Sequence, residues 1–409
     1  MKVLQVFEQQ TLRVGEGGLS AAALDALALF NERHESKYFT LLRSGVRFRN
    51  YVGVLQVGQL TIEILPKLRL HQSTQKTWKN WLLELLQFCQ YIHLETSTIT
   101  ALSLQKGTLL DLYIEFFISE LEKILQRGRL QQYSNIEKNQ NCYKGRLNFA
   151  KQFQKNLIRK DRFYTHYNIY DYNHTIHYLL GTAVQIAERI NTNYGHQRRL
   201  KKLQAHFRPP PSKRKQNVLS YNSNNLQQQL GRTYLYYKIA IEVAQMLIHH
   251  YTPDLRGGSH EVLGIFFDMN RLFEEYVYKQ CLCLQESKLT VQKQVTKLFW
   301  EHKTLRPDLV LNYKQKSYVL DMKWKLLAYP SPNDADLKQM YAYGQLFDSQ
   351  RNILIYPQTG TLENKRASFQ PDGDISCELF FANILDTEQH LNLNLGRDLI
   401  DWIKYSVDA

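Results

Sequence analysis

Residues 306–325 read RPDLVLNYKQKSYVLDMKWK, and this stretch decides the fold of the C-terminal part of the chain. Two apolar runs, 309–313 and 317–324, flank the short polar segment 314–316, a pattern that predicts a tight β-hairpin. Asp308 stands just before the first strand, and Asp321 and Lys323 lie two apart on the second. Side chains alternate across a strand, so Asp321 and Lys323 share one face. Tyr318, Leu320, Met322 and Trp324 take the other face and are candidate core residues. An acid and a base on one strand face, backed by an apolar face, suit phosphodiester chemistry. That chemistry needs a metal ion to gather anionic oxygens and to generate hydroxide near neutral pH. Mg²⁺ prefers oxygen ligands and is held by one or two carboxylates together with water and substrate phosphate. Asp308 and Asp321 are the candidate ligands, with the Met322 carbonyl as a further oxygen. Lys323 is the candidate cation beside the nucleophile.

The flanking segments extend the pattern. Upstream, the helix predicted over 268–284 carries adjacent glutamates, Glu274 and Glu275, of which one can point at a strand-based site. Downstream, a helix over 335–347 places Gln339 and Tyr343 four apart and so on one face. Lys325 follows Lys323 by two residues and is close enough in sequence to reach the site. A lone Asp-x-Lys triplet is usually a surface ion pair. An ordered set of helix Glu, Pro-Asp before a strand, Asp-x-Lys, and helix Gln-x-x-x-Tyr is far more specific. With further strands at 291–300 and 351–356, strands and helices alternate, which indicates an α/β domain with a mixed central sheet flanked by helices.

The rest of the chain reads differently. Residues 1–75 are expected to form a β-rich N-terminal domain. It would hold a strand near Val3–Phe7, a helix over 21–33, and a hairpin over 51–65 turning at Gly58–Gln59. Residues 76–258 read as a mainly helical, basic middle region, with Trp78 and Trp81 as core residues of its first helix. Further helices are predicted over 109–125, 173–190 and 225–250. Thr252–Pro253 and Gly257–Gly258 give the clearest linker signal, so the last domain is placed at 259–409.

The 409 residues carry a net charge of +14, which favours a polyanionic partner. Residues 301–409 hold 12 Lys+Arg against 15 Asp+Glu, so the basic character lies upstream. Five cysteines without a CxxC pair argue against a disulfide framework or a zinc site and suit a reducing cytoplasm. No signal peptide and no membrane span are expected. Between Glu188 and Glu242 there is no acidic residue. That stretch includes Arg198, Arg199, Lys201, Lys202, Arg208, Lys213, Arg214 and Lys215, interleaved with Tyr194, His206 and Phe207. It is either a phosphate- or partner-binding surface or a solvated basic segment. Gly145–Arg146 reads either as an interface or phosphate contact or as a turn glycine beside an exposed arginine, the latter favoured because such turns are common. His249, His250 and His260 lack a carboxylate at ligand spacing and read as helix-end histidines.

At 269–277, 306–311, 320–325 and 337–344 the chain resembles the McrC family, the nuclease subunit of McrBC-type modification-dependent restriction systems. The sequences YVGVLQVGQLTIEILPKL (51–68) and YKGRLNF (143–149) resemble it too, so the likeness covers most of the chain. The resemblance implies a PD-(D/E)xK nuclease fold and Mg²⁺-dependent endonucleolytic cleavage of DNA bearing 5-methylcytosine, in antiviral defence. It implies an McrB-like AAA+ GTPase ring, hexameric, as partner, docked through the N-terminal part of this chain, with GTP hydrolysis stimulated by it. No G-x-x-x-x-G-K-[ST] loop occurs here, which agrees with the GTPase lying elsewhere. No small-molecule substrate is implied. Carried over residue by residue, Asp308 and Asp321 would ligate Mg²⁺ and Lys323 would orient the attacking water. Glu274 would complete the acidic set, and Gln339 and Tyr343 would steady the site or touch DNA. Two other readings remain open: a RecB-like repair nuclease acting alone, and a non-catalytic adaptor that only stimulates a GTPase.

Overall fold

The hairpin Tyr51–Val57 and Leu60–Leu65 is the spine of one sheet. Lys2–Phe7 runs parallel to Leu60–Leu65, and Val262–Asp268 pairs antiparallel with Tyr51–Val57. The last pairing requires a glycine: Gly53 sits at φ +137°, and a Cβ there would lie 2.0 Å from the Ile265 carbonyl oxygen. A small sheet, Thr11–Arg13, Gly45–Phe48 and Phe39–Leu42, packs with the helix Ala21–Arg33 around Leu27, Phe30, Phe39, Val46, Phe48, Leu55 and Ile62. That helix starts at Ser20, whose hydroxyl accepts from the Ala23 amide at 3.1 Å. The computed structural model describes residues 2–67, 75–89, 91, 108–191, 193–209, 233–252, 261–284, 289–358, 360–370 and 373–405.

The second large sheet has six strands in the order Leu289–Lys293, Leu309–Tyr313, Lys316–Met322, Arg351–Pro357, Ser376–Ala382, Lys365–Ser368. It is mixed, as expected. The first three strands are antiparallel, Arg351–Pro357 is parallel to both neighbours, and the edge strand Lys365–Ser368 is antiparallel. The helix Asp334–Phe347 makes the crossover between the parallel strands Lys316–Met322 and Arg351–Pro357. Its Met340, Tyr343 and Phe347 cover Val310, Val319, Leu354 and Leu379. The helices Met269–Leu282 and Leu395–Tyr405 pack on each other and against strands of this sheet. The strand Lys316–Met322 is therefore covered on both faces, and Tyr318 through Met322 are all buried. A central strand in a helix-covered mixed sheet is expected to be apolar throughout, which leaves Asp321 as the exception.

Packing divides the described residues into two units, 1–109 with 253–409, and 110–252. The sequence reading draws its boundaries near 75 and 258. Strand Val262–Asp268 is hydrogen-bonded into the N-terminal sheet, so the β-rich start and the α/β end of the chain share one unit. The linker signal at 253–258 lies outside the described residues, as do His260, residues 210–215 and the start of the helix predicted over 225–250. The described helices of the second unit are Leu109–Arg127, which opens it, Phe149–Asn156, Thr175–Ile190, Tyr194–His206 and Tyr234–His249. The unit also holds a three-stranded sheet, Gln132–Gln140, Phe163–Asp171 and Arg146–Leu147, so the middle region is less purely helical than its sequence suggests. Those strands mix polar and aromatic residues and are mostly half-buried, so no regular apolar alternation announced them. Trp78 and Trp81 are core residues, 2% and 1% exposed. No described helix is long and apolar enough to cross a membrane.

Candidate active site

The hairpin Leu309–Tyr313 and Lys316–Met322 turns through Lys314 and Gln315, both left-handed at φ +48° and +66°. Two positive-φ residues match the right-handed twist of the strands they join. The register this turn fixes pairs Leu309 with Leu320. One step further along it, Asp308 stands opposite Asp321. The Asp308 carboxylate accepts a hydrogen bond from the Met322 amide at 2.8 Å, which anchors it at this end of the hairpin.

Asp321 is 2% exposed, and its Oδ2 lies 2.5 Å from Lys323 Nζ. That oxygen accepts no well-directed hydrogen bond. Lys323 Nζ also donates to Gln339 Oε1 at 3.2 Å. Gln339 Nε2 donates to the Tyr343 hydroxyl at 2.7 Å, and that hydroxyl donates to the Arg306 carbonyl at 3.1 Å. Gln339 and Tyr343 thus hold the ammonium from the helix side and tie it to the residue two before Asp308.

The electrostatics are those of crowded, dehydrated acids. Burial pushes the Asp308 carboxyl up, and the nearby Asp321 and Glu274 charges push it further. Burial likewise raises Asp321, against the pull of Lys323, and Asp336 adds to the rise. Glu274 is raised by burial and by Asp321. Burial works against the Lys323 ammonium, yet Asp321 beside it holds its pKa above the ordinary lysine value. Burial lifts the Tyr343 phenol to about 12, so it stays a neutral donor.

The adjacent glutamates separate cleanly. Glu275 is paired with Lys293, in a short contact, and with Lys279 at 3.8 Å. Glu274 is the one that feels the Asp308 and Asp321 charges. Lys325 turns away to Asp336, 3.0 Å from its Oδ2. Asp336 also accepts from the Tyr356 hydroxyl at 3.3 Å, and its amide is capped by Asn333. Sequence reasoning missed Asp336, although it lies three residues before Gln339 and seven before Tyr343, on the same helical stripe.

Among the described residues, no three His, Cys, Asp or Glu side chains converge into a metal cage. The arrangement instead suits an ion held by few protein oxygens, the habit of Mg²⁺. The poorly bonded, buried Oδ2 of Asp321 and the raised pKa values of its neighbours fit such an ion, because a divalent cation would relieve both.

Elsewhere, Arg199 is engaged inside the second unit. It is bidentate to Glu122 and also bonded to Glu115, so it is unavailable for phosphate. Arg198, Lys201, Lys202 and Arg208 are on the described surface or part of it. Gly145 adopts φ +76°, and a Cβ there would lie 2.5 Å from the His166 carbonyl oxygen, beside an exposed Arg146. His249 ends its helix, and His250 Nδ1 is 3.0 Å from the Met246 carbonyl oxygen, a helix-end position.

Residues 46–357 match the family model described as McrBC 5-methylcytosine restriction system component. The chain belongs to that family. The matched span includes the hairpin, Glu274, Gln339 and Tyr343 of this McrBC component. No curated protein matches it. Among solved structures it is similar to a chain in the tetradecameric assembly of Thermococcus gammatolerans McrB AAA+ hexamers with bound McrC. The identity is 16% and the TM-score 0.72, over 98% of this chain and 100% of that one. It is also similar to a chain of the Thermococcus gammatolerans McrBC complex, at 16% identity and TM-score 0.50, over 68% of this chain and 87% of that one. At such identities the likeness is one of fold.

Proposed function

We propose that this McrBC component is the DNA-cutting subunit of its restriction system, a Mg²⁺-dependent endonuclease. It would work with an McrB-like AAA+ GTPase ring whose GTP hydrolysis it stimulates. The observation that carries this reading is the meeting of Asp308, Asp321 and Lys323 at one end of a buried hairpin, where the Glu274 charge is also felt. The partnership rests on the family and on the fold shared with a chain of the T. gammatolerans McrB–McrC assembly.

Asp308 and Asp321, with the Met322 carbonyl, would hold the ion, and Glu274 would add negative charge beside them without completing a three-carboxylate cage. When bound, Mg²⁺ supplies charge neutralisation at the phosphate and lowers the pKa of water. Lys323, tethered between Asp321 and Gln339, orients the attacking water and offsets negative charge as it builds on the phosphate. Tyr343 and Gln339 keep the ammonium from collapsing wholly onto Asp321. Burial of Asp321 within the covered sheet thins the water around it, which strengthens its interactions, while the half-buried Asp308 stays within reach of solvent and substrate.

The test is cleavage of 5-methylcytosine-containing DNA with and without the ring partner, GTP and Mg²⁺. Cutting is expected only with all three, and chelation by EDTA should abolish it. Cutting in the absence of the ring and GTP would instead favour a repair-type nuclease acting alone. Unimpaired cutting by Asp321→Ala would remove the chemistry from this site.

A further inference from the structure

The C-terminal part of this chain is poorly suited to hold a polyanion by itself. Residues 301–409 carry more acids than bases, 15 against 12. Near the site, Lys323, Lys325 and Lys293 are already paired with Asp321, Asp336 and Glu275. Arg306 is exposed two residues before Asp308, and a longer grip on the substrate calls for further cations elsewhere in the fold.

Residues 36–62 contain no Asp or Glu, but do contain Lys37, Arg43, Arg47 and Arg49. Strand alternation in Gly45–Phe48 sends Val46 and Phe48 into the core and leaves Arg47 outside, with Arg49 two residues on. Thr40 lies opposite Arg47 in the register. Lys37, Arg47 and Arg49 line an open cleft of about 670 Å³, together with Thr40, Asn50 and Asn270. None of the three cations forms an ion pair among the described residues. Asp268 also lines the cleft, but its Oδ1 is engaged with the amide and side chain of Asn270 at 3.0 and 3.2 Å, capping the helix Met269–Leu282.

That helix connects the cleft to the acidic cluster. Asn270, in the cleft wall, and Glu274 are four residues apart and so on one helical face. The rise between them is about 6 Å. We propose that the Lys37–Arg47–Arg49 cleft is a phosphate-binding track that grips the DNA on its way to the scissile bond. The guanidinium forks suit phosphate oxygens, and Thr40, Asn50 and Asn270 supply neutral hydrogen-bonding groups beside them. The inference rests on the reading of Asp308, Asp321 and Lys323 as the cutting centre. An acidic protein segment is the competing occupant.

The experiment is equilibrium binding of a fluorescent DNA duplex to the full chain in EDTA, from 50 to 200 mM salt on the order used for such titrations. The variants are the triple Lys37→Ala/Arg47→Ala/Arg49→Ala and the conservative Arg47→Lys/Arg49→Lys, with thermal unfolding to verify folding. Each neutralised phosphate contributes about 0.9 to the slope of log affinity against log salt, so the triple variant should lose about 2–3 from that slope. Its affinity at low salt should fall by about tenfold or more, and the lysine variant should keep most of the slope. A folded triple variant with the wild-type slope overturns the proposal. So does a wild-type chain with no salt-dependent binding. Wild-type DNA binding combined with lost association to the ring would mark the cleft as a protein-docking surface, and also overturns it. Binding needs no cleavage, so a chain that binds through the cleft but never cuts would sink the nuclease reading and leave the track standing.

Discussion

Lys323 is the residue whose surroundings say most about the chemistry. It is held by Asp321 on one side and Gln339 on the other, and the Gln339–Tyr343–Arg306 chain fixes the second acceptor. Lys323→Met should lower DNA cleavage by about 10²–10⁴-fold, the range for loss of one positioned charge or proton-handling group. Gln339→Ala leaves the ammonium on Asp321 and should lower cleavage by about tenfold, on the order of one lost hydrogen bond to a charged group. Both are checked by single-turnover cleavage with partner, GTP and Mg²⁺. The pair Asp321 and Lys323 was legible in the sequence because strand alternation is local. So was Asp308, once the hairpin was recognised. Which of Glu274 and Glu275 faces the carboxylates was not, since Lys293 and Lys279 settle it through folded contacts. Asp336 escaped notice because its partners, Lys325 and Tyr356, lie on two different strand ends.

At the scale of elements, the hairpin turn offers a direct handle. Lys314 and Gln315 both occupy the left-handed region that Asn-Gly prefers. Lys314→Asn/Gln315→Gly should therefore stabilise the chain by about 0.5–1 kcal/mol in denaturant unfolding and leave cleavage unchanged. Gly53→Ala should do the reverse. Its Cβ would meet the Ile265 carbonyl oxygen, so the pairing of Tyr51–Val57 with Val262–Asp268 must open, and a loss of more than about 2 kcal/mol is expected. The helix of residues 21–33 and the hairpin of 51–65 were readable from periodicity and Gly58. The strands Gln132–Gln140 and Phe163–Asp171 were not, because they pair mainly with each other, half-buried, and carry no regular apolar stripe. The basic helix Tyr194–His206 shows a related failure of composition. Arg199 looked free for phosphate but is locked to Glu115 and Glu122, with His196 also 3.1 Å from Glu115. These partners hold the Glu115 carboxyl down at about 2, His196 contributing most. A depressed carboxyl contributes stability above its unfolded value of 4.5 and loses it as pH falls towards 2. Stability of the second unit should thus decline over that acid range. Arg199→Ala should lower stability at neutral pH and flatten the acid limb, as read by denaturation of the full chain across pH.

At the scale of the whole molecule, the first unit is assembled from both ends of the chain, 1–109 and 253–409. Trp324, the residue after Lys323, shows what this does for the site. Its indole donates to Glu8, the residue after the first strand, at 2.7 Å, stacks on Trp81 at 6.1 Å and meets Phe273, next to Glu274, edge-on. The Asp321–Lys323 segment is therefore braced by the N-terminal part of the unit, and neither end is expected to be sound alone. Such long-range joins are invisible to local periodicity, which is why the sequence suggested separate domains at the two ends. The central claim is that Asp308, Asp321 and Lys323 form the cutting centre of a McrBC component whose partner engagement lies elsewhere. The most direct measurement follows cleavage of methylated DNA and GTP hydrolysis in one reaction, for the wild type and Asp308→Asn, with the ring partner and Mg²⁺. The account predicts cleavage reduced by about 10²–10⁴-fold with stimulated GTP hydrolysis retained. Cleavage at the wild-type rate by Asp308→Asn would contradict it.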